Sequence, residues 1–443
     1  MKDIGASSRV EGRLARVASA DHRIATRVVG SSVTPRKRVA FVIAHLGAGG
    51  AQRVAVNAAN ALVGRGIDIH VITLSHRPQA YRLDSQVVLH TLSRGSTDLA
   101  TRLGTDLKTQ HSASSFNAAS ATVPGSPMSA FARALIRRGH AVGRPLYSVL
   151  HSGALLKQIW RLRQRLKAIS ADTTLAFLTQ TNILTVLATR GLGTHTVISE
   201  RNDPRLQRHQ YPIELLRRLT YRFADVVTTN SQGTLSALES FVARKKLAYL
   251  PNPLTLNAIE ESAQFTAPTV IAVGRLVEQK GFDVLLEAWA KVAPLLPGWR
   301  LAILGDGPLG GALQDLSRSL MIETRVDWLG HVSDPIPFLR GAKFYVLTSR
   351  FEGTPNALLE AMACGIPAVV SDASPGPREL IGRNGDAGLT VPVGDIEATA
   401  RAILELAQRK TLRQRLGVAA QERAREYDVK KTIKVWLEIL CPD

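Results

Sequence analysis

Apolar residues along this chain keep two alternating rhythms. Runs of five or six consecutive apolar residues give way to stretches in which they recur every three or four positions, and then the short runs return. In "RVAFVIAHLGAGGAQRVAVNAANALVGRGIDIHVITL" the run Val39–Ala44 predicts a buried strand and the spacing over Ala51–Val63 predicts a helix closed by Gly64 and Gly66. Ile67–Leu74 predicts the next strand. Strand, glycine-rich loop, helix and strand in this order begin a parallel α/β sheet.

The rhythm continues with strands expected at "TTLAFLT", "HTVISE" and "DVVTTN", then pauses in "LPNPLTLNAIEESAQFTAP", a Pro- and Asn-rich stretch without sustained periodicity. It restarts with "TVIAVGRL", "RLAILGDGP", "VDWLG", "FYVLTS", "AVVSD" and "GLTVP", and ends in the amphipathic segment "YDVKKTIKVWLEIL". The expected organisation is a polar, basic, disordered extension over 1–36, a Rossmann-like first half over 37–254, a second over 255–425, and a terminal helix over 426–443, with a cleft between the halves. Residues 93–130 are small, polar and weakly periodic, and predict a mobile surface insertion. In "GALLKQIWRLRQRLKAIS" the side made by Leu155, Leu156, Ile159, Trp160, Leu162, Leu166 and Ile169 fits a helix packed on the sheet, or one lying on a membrane.

Composition narrows this picture. With 443 residues, 45% of them hydrophobic, the chain can bury two cores. Its two cysteines, Cys364 and Cys441, form neither a disulfide framework nor a metal-ligand spacing and point to a reducing compartment. The first thirty residues lack the apolar core of a secretory signal, and no run of apolar residues is long enough to span a bilayer. A soluble or peripheral protein is expected.

Charge is unevenly placed. The net +20 comes wholly from residues 1–269, with 35 Lys and Arg against 15 Asp and Glu, whereas 270–443 carries 21 of each. Such asymmetry suits an anionic partner, whether a bilayer surface, a diphosphate-linked substrate or nucleic acid, or it serves solubility alone. Aromatic content of 5%, without aromatic residues interleaved among the basic ones, argues against nucleic acid.

The chemistry concentrates after the strands of the second half, where ligands of open α/β sheets bind. Gly274, Arg275 and Lys280 follow the first of them, and the turn Gly305, Asp306, Gly307 follows the second. "SRFEGTPNALLEAMACGIPAVVSD" follows the fourth. There Thr354 is the expected N-cap and Pro355 the first helical residue, with Gly365 as the stop. Phe351, Gly353 and the N–H groups from Asn356 and Ala357 onward then face the cleft as an anion site. With Arg275 and Lys280 this suits a diphosphate. Glu352 and Glu360 flank the helix start and can accept hydrogen bonds from paired hydroxyls on either side of that diphosphate.

Taken together, "VGRLVEQKGFD", "GDGP", "SRFEGTPNALLEAMACGIPAVVSD", "GLTVPVGD" and "GAGGAQR" resemble the motifs of retaining glycosyltransferases of GT-B fold and family 4 type, over a stretch from about Arg38 to the end. The resemblance implies two Rossmann-like domains facing a central cleft and a nucleotide-sugar donor, with UDP-sugars first. Glu352 would contact the donor sugar, Glu360 the ribose, and Arg275 and Lys280 the leaving diphosphate. Gly49 and Gly50 would let the first-half loop approach both substrates, and the terminal helix would cross back to the first half. No metal or cofactor is expected, the nucleotide-sugar being a substrate, and no Asp-x-Asp is present to hold a metal.

Many relatives place a histidine after a first-half strand where this chain has "ISERNDPR". That form is similar to a subgroup building bacterial surface or lipid-linked glycans. Glu200, Arg201 and Asn202 become acceptor-side or sugar-side candidates, unless Arg201 simply pairs with Asp203. The acceptor implied is a glycan on a lipid diphosphate, placing the protein in the cytoplasm at the inner membrane face. Alternatives are a transferase with a small soluble acceptor, or a non-catalytic GT-B protein that binds an anionic partner.

Overall fold

A computed structural model describes residues 36–93, 153–207, 209, 211–255 and 262–442, and Lys37–Asp443 form one compact unit. The expected basic extension and the expected insertion lie outside the described residues, apart from Arg36 and Ser93 at their edges. The first half runs β1 (Arg38–Ile43), α1 (Gly50–Val63), β2 (Asp68–Thr73), β3 (Val88–Thr91), α2 (Gly153–Ile169), β4 (Thr173–Phe177), α3 (Thr179–Thr189), β5 (His195–Glu200), α4 (Tyr211–Tyr221), β6 (Val226–Thr229) and β7 (Leu247–Tyr249). The second runs β8 (Thr269–Val273), α5 (Phe282–Val292), β9 (Arg300–Leu304), α6 (Gly310–Ser319), β10 (Val326–Gly330), α7 (Ile336–Gly341), β11 (Phe344–Leu347), α8 (Asn356–Ala363), β12 (Ala368–Ser371), α9 (Pro375–Ile381) and β13 (Gly388–Val391). Then come α10 (Ile396–Gln408), α11 (Lys410–Ala424) and α12 (Val429–Leu440).

The strands form two parallel sheets, ordered β3-β2-β1-β4-β5-β6-β7 and β10-β9-β8-β11-β12-β13. Alternation along each central strand feeds a core on both faces. Val39, Phe41 and Ile43 enter one cluster while Ala40 and Val42 enter another. In the second sheet Val270 and Ala272 part from Ile271 in the same way. Strand order reverses between β1 and β4, and again between β8 and β11, and at these switch points a crevice opens beyond the carboxyl ends.

Two short edge strands, β3 and β7, carry no pattern a sequence reading would single out. Val88 and Leu89 are exposed, so β3 lacks the apolar run that marks the buried strands. On α2 the expected single apolar side divides. Leu162, Leu166 and Ile169 are buried, with Leu155 and Ile159 continuing their stripe, whereas Leu156 and Trp160 are 72% and 59% exposed. The former repeat every three or four residues along one line. The latter sit one position further on, about 100° around the helix. No helix among the described residues is long and apolar enough to cross a membrane.

Helix α12 docks on the first sheet. Ile433, Trp436 and Leu440 join its core, and the Trp436 ring lies 6.1 Å from Phe41 and 6.4 Å from Phe177. Its Nε1 donates to the Pro251 carbonyl at 2.9 Å. Just before it, Leu254 pairs with Asp428 as an isolated bridge, tying the end of the chain to the connection between the sheets. Trp436→Ala is expected to cost about 3–5 kcal/mol, read as a lower urea midpoint with an unchanged slope.

Candidate active site

The loop after β8 and the loop after β11 are fastened to each other before either can meet a ligand. Arg350 grips Asp283 through two bonds, at 3.0 and 2.7 Å, and donates to the Glu278 carbonyl. Gln279 Nε2 donates to the Phe351 carbonyl at 2.8 Å, and Arg350 N donates to the Gln279 carbonyl at 2.7 Å. This fastening places Lys280 Nζ 2.5 Å from Glu352 Oε1, with both side chains largely buried. Ser349 Oγ donates to the same oxygen at 2.6 Å, and Ser374 Oγ holds the Glu352 backbone. Glu352 thus arrives already oriented. Arg350, Asp283 and Gln279 were not singled out from the sequence, because "SRFEG" and "VEQKGFD" do not reveal that they meet.

Gly305 and Gly307 let the turn after β9 approach the loop after β8, whereas a Cβ on Gly274 would meet only the Lys280 side chain at ordinary contact distance. A Cβ on Gly305, at φ +145°, would land inside the Gly274 carbonyl, and one on Gly307 would press on the Leu276 backbone. Asp306 Oδ1 accepts from Gly307 N at 2.7 Å. Arg275, between these turns, is exposed and lies within electrostatic reach of His45 in the first half.

The start of α8 departs from expectation. Pro355 is its N-cap, Asn356 its first residue, and no side chain caps it. Thr354 was the expected cap, but its hydroxyl donates across the cleft to the Asn230 carbonyl. Among the described residues, the first N–H groups of α8 have no intrahelical or side-chain partner, as an anion site requires. Gly365, at φ +73°, closes the helix through bonds to the Met362 carbonyl, with Ile366 bonding Ala361.

The two halves meet along this helix start. Asn252 Nδ2 donates to the Thr354 carbonyl and to Asn356 Oδ1, and Asn356 Nδ2 donates to the Gly50 carbonyl at 2.9 Å. Gly353 packs against the Arg201 carbonyl so closely that a Cβ would overlap it. Phe351 and Ala357 are half-buried on either side of this seam. Gly49 N donates to Tyr81 Oη at 3.4 Å.

Glu360, 5% exposed, pairs with Arg53 Nε of α1 at 3.2 Å. Burial pushes its carboxyl up to about 7, Arg53 pulling the other way. His45, at the exit of β1, was likewise unremarked. Its Nδ1 accepts from Gly47 N at 3.1 Å, and burial, then Arg77 and Arg275, lower it to about 4, so it is neutral with its proton on Nε2.

The acceptor-side candidates divide. Glu200 is buried, accepting from Tyr221 Oη and from Thr179 Oγ1, the latter 3.0 and 3.1 Å from its two oxygens, and burial raises its carboxyl. Arg201 is buried with its guanidinium over Phe177 and donates to Ser199 Oγ and the Leu250 carbonyl. It does not pair with Asp203, which Arg205 takes instead at 2.7 Å. Asn202, half-buried, donates to Gln207 Oε1. Glu200 and Arg201 thus brace the segment behind the cleft, leaving Asn202 nearer its surface.

Comparison with known proteins bears on this geometry. The family profile described as "Glycosyltransferase Family 4" matches residues 48–258, and that described as "Glycosyl transferases group 1" matches residues 258–423. An uncharacterized glycosyltransferase of Haemophilus influenzae is 23% identical over 91% of this chain and 100% of its own length. From Campylobacter jejuni, the "GalNAc-alpha-(1->4)-GalNAc-alpha-(1->3)-diNAcBac-PP-undecaprenol alpha-1,4-N-acetyl-D-galactosaminyltransferase" is 26% identical over 91% of this chain and 98% of its own. Two further bacterial relatives, at 34% identity, are matched over only 23% and 61% of their length. Among solved structures, a mutant of S. aureus TarM in complex with Fondaparinux, alpha-GlcNAc-glycerol and UDP superposes with a TM-score of 0.68 at 14% identity, over 91% of this chain and 100% of that one.

Proposed function

Because the chain belongs to the family 4 glycosyltransferases of GT-B fold, we propose that it moves a sugar from a nucleotide-sugar, a UDP-sugar first, to a glycan carried on a lipid diphosphate. The observation that carries this reading is the seam itself. Lys280 is fixed against Glu352, α8 starts without a side-chain cap just after it, Glu360 lies buried one turn further on, and Arg275 stands exposed on the Lys280 loop, an arrangement that suits a diphosphate held between two carboxylates.

As the anomeric bond breaks, negative charge builds on the departing nucleoside diphosphate. Lys280 and Arg275, with the N–H groups of Asn356, Ala357 and Leu358, stabilise it without reorganising, so that no divalent metal is called for. Glu352, held by Lys280 and Ser349, accepts hydrogen bonds from the sugar, and Glu360 from the ribose. Gly305 and Gly307 let their turn pack on the Gly274–Leu276 backbone, and in this reading that turn and Gly274 border the nucleotide while Gly49 and Gly50 bring the first-half loop against the sugar. The acceptor hydroxyl enters from the side of Asn202, on the face the diphosphate leaves, which retains the anomeric configuration, and the diphosphate takes its proton.

A lipid-diphosphate acceptor fits the basic first half, since each Lys or Arg near an anionic leaflet contributes about 1 kcal/mol. The Campylobacter relative, whose name specifies an undecaprenol-diphosphate-linked substrate, supports the same acceptor class. A peripheral enzyme at the inner membrane face is the location this reading implies.

Thermal unfolding with UDP, GDP, ADP and TDP tests the donor assignment. At a hundredfold its dissociation constant the matching nucleotide stabilises the fold by about 2.7 kcal/mol. UDP is expected to raise the midpoint in the wild type and not in Glu360→Ala. A shift that survives in the variant removes Glu360 from the donor site.

A further inference from the structure

Arg53 belongs to the "GAGGAQR" segment, yet nothing in the reaction described so far uses it. It stands in the first turn of α1, its N–H bonded to the Gly49 carbonyl at 3.0 Å, and reaches from the first half to Glu360 of the second at 3.2 Å. The guanidinium is held from two other sides. The Tyr81 ring lies 5.6 Å beneath it, and Asp334 stands 4.0 Å from Nη2. A cavity of about 10 Å³, bounded by Arg53, Asn57, Pro253, Asn356, Leu359 and Glu360, opens beside the pair. It has room for about one water or one hydroxyl group.

We propose that Arg53 is a positioning residue for donor binding, which crosses the seam to keep the buried Glu360 carboxylate ionised and aimed at the ribose hydroxyls of a nucleoside diphosphate. This rests on the assignment of Glu360 to the ribose. An ionised carboxylate accepts from both hydroxyls of a ribose, whereas a protonated one gives up part of that capacity.

The groups facing Glu360 leave this task to Arg53. Asp334, ahead of α7, pushes its carboxyl up, as burial does, and Arg53 opposes them. Tyr345 of β11, Tyr81 and Cys364, just past the end of its own helix, also lie within its electrostatic reach and carry no positive charge; Arg340 of α7 bonds the Cys364 side chain, but of the two arginines only Arg53 acts on Glu360 itself. With its carboxyl at about 7, Glu360 is poised so that loss of one neighbouring cation decides its state at neutral pH.

The test is calorimetric titration of UDP into the full-length protein between pH 6 and 9, with the wild type, Arg53→Gln, Arg53→Lys and Glu360→Gln. Wild-type affinity is expected to fall as the pH drops through about 7. In Arg53→Gln the fall should begin about one unit higher, so affinity is about fivefold weaker at pH 7, approaches tenfold weaker at pH 6, and is close to wild type at pH 9. Arg53→Lys should restore most of the profile. The nucleotide's own titration is common to all four proteins.

A purely structural role for Arg53 would lower affinity equally at every pH, and a variant profile parallel to the wild type overturns the proposal. Glu360→Gln should bind weakly without this pH dependence. If it binds UDP as the wild type does, the ribose assignment itself fails, a result distinct from the first. Should Arg53→Gln not fold, Tyr81→Leu, which removes the ring beneath the guanidinium, is expected to shift the profile in the same direction by a smaller amount, and an unshifted profile there counts against the proposal.

Discussion

Lys280→Met is expected to lower kcat/KM by about 10³-fold or more and to destabilise the protein by about 3–5 kcal/mol. The first effect follows from removing a fixed cation at the leaving diphosphate. The second follows from what remains: Glu352, 5% exposed, with Ser349 as its remaining side-chain partner on the carboxylate. Breaking a buried pair from one side leaves a carboxylate that has lost both water and its cation.

The two effects can be separated. Combining Lys280→Met with Glu352→Gln removes the orphaned charge and should recover most of the stability while leaving turnover abolished. Urea unfolding and single-turnover kinetics on the same preparations read the two quantities. Turnover within tenfold of wild type in the single variant sinks the assignment of Lys280. A double variant no more stable than the single one shows that the pair is not the source of the loss.

Gly305→Ala is expected to be the most damaging single methyl in the second half. The residue holds φ +145°, which side chains rarely adopt, and its Cβ would occupy the position of the Gly274 carbonyl. Strain and overpacking each cost about 1–3 kcal/mol, and a combined loss of about 4 kcal/mol is the expected reading of the urea midpoint. UDP binding should weaken as well, because the displaced Gly274 carbonyl carries Arg275 with it. Gly311→Ala is the control. It lies in α6, a Cβ there meets nothing within 4 Å, and it should leave stability unchanged or raise it by up to about 1 kcal/mol. Equal behaviour of the two variants would show that the close approach of β8 and β9 at their carboxyl ends does not constrain the turn.

Much of this molecule is visible in one dimension because its elements are local. The apolar runs of β1 and β8, the three-to-four spacing in α1, and the glycines that follow them are fixed by neighbours a few residues away; the expected strand starts lie within about one residue of the observed ones, whereas "TVIAVGRL" and "RLAILGDGP" run three and four residues past the ends of β8 and β9. The order Arg275, Lys280, "GDGP", Glu352, Glu360 is equally readable, since all of them follow strands of one sheet.

Other features required the three-dimensional arrangement. Thr354 satisfies every local rule for an N-cap, yet the Asn230 carbonyl, brought in from the other half, takes its hydroxyl. Arg201 and Asp203 are two residues apart and do not pair, because burial over Phe177 turns the guanidinium away and Arg205 reaches the carboxylate first. Edge strands β3 and β7 escaped notice for a different reason: with one flank unpaired and little apolar surface to bury, they need only a compliant backbone.

Two parallel α/β sheets, a cationic and glycine-rich set of loops at their carboxyl ends, and membership of a sugar-transferring family are all legible along the chain. Which partner each charged side chain takes depends on how the folded elements meet. Lys280 meets Glu352, and Arg53 meets Glu360 across the seam. Periodicity is enforced by neighbours along the chain and so is written in it. A buried carboxylate must instead find its counter-charge wherever the fold brings one within a few ångströms, and for Glu360 that charge comes from the first turn of α1.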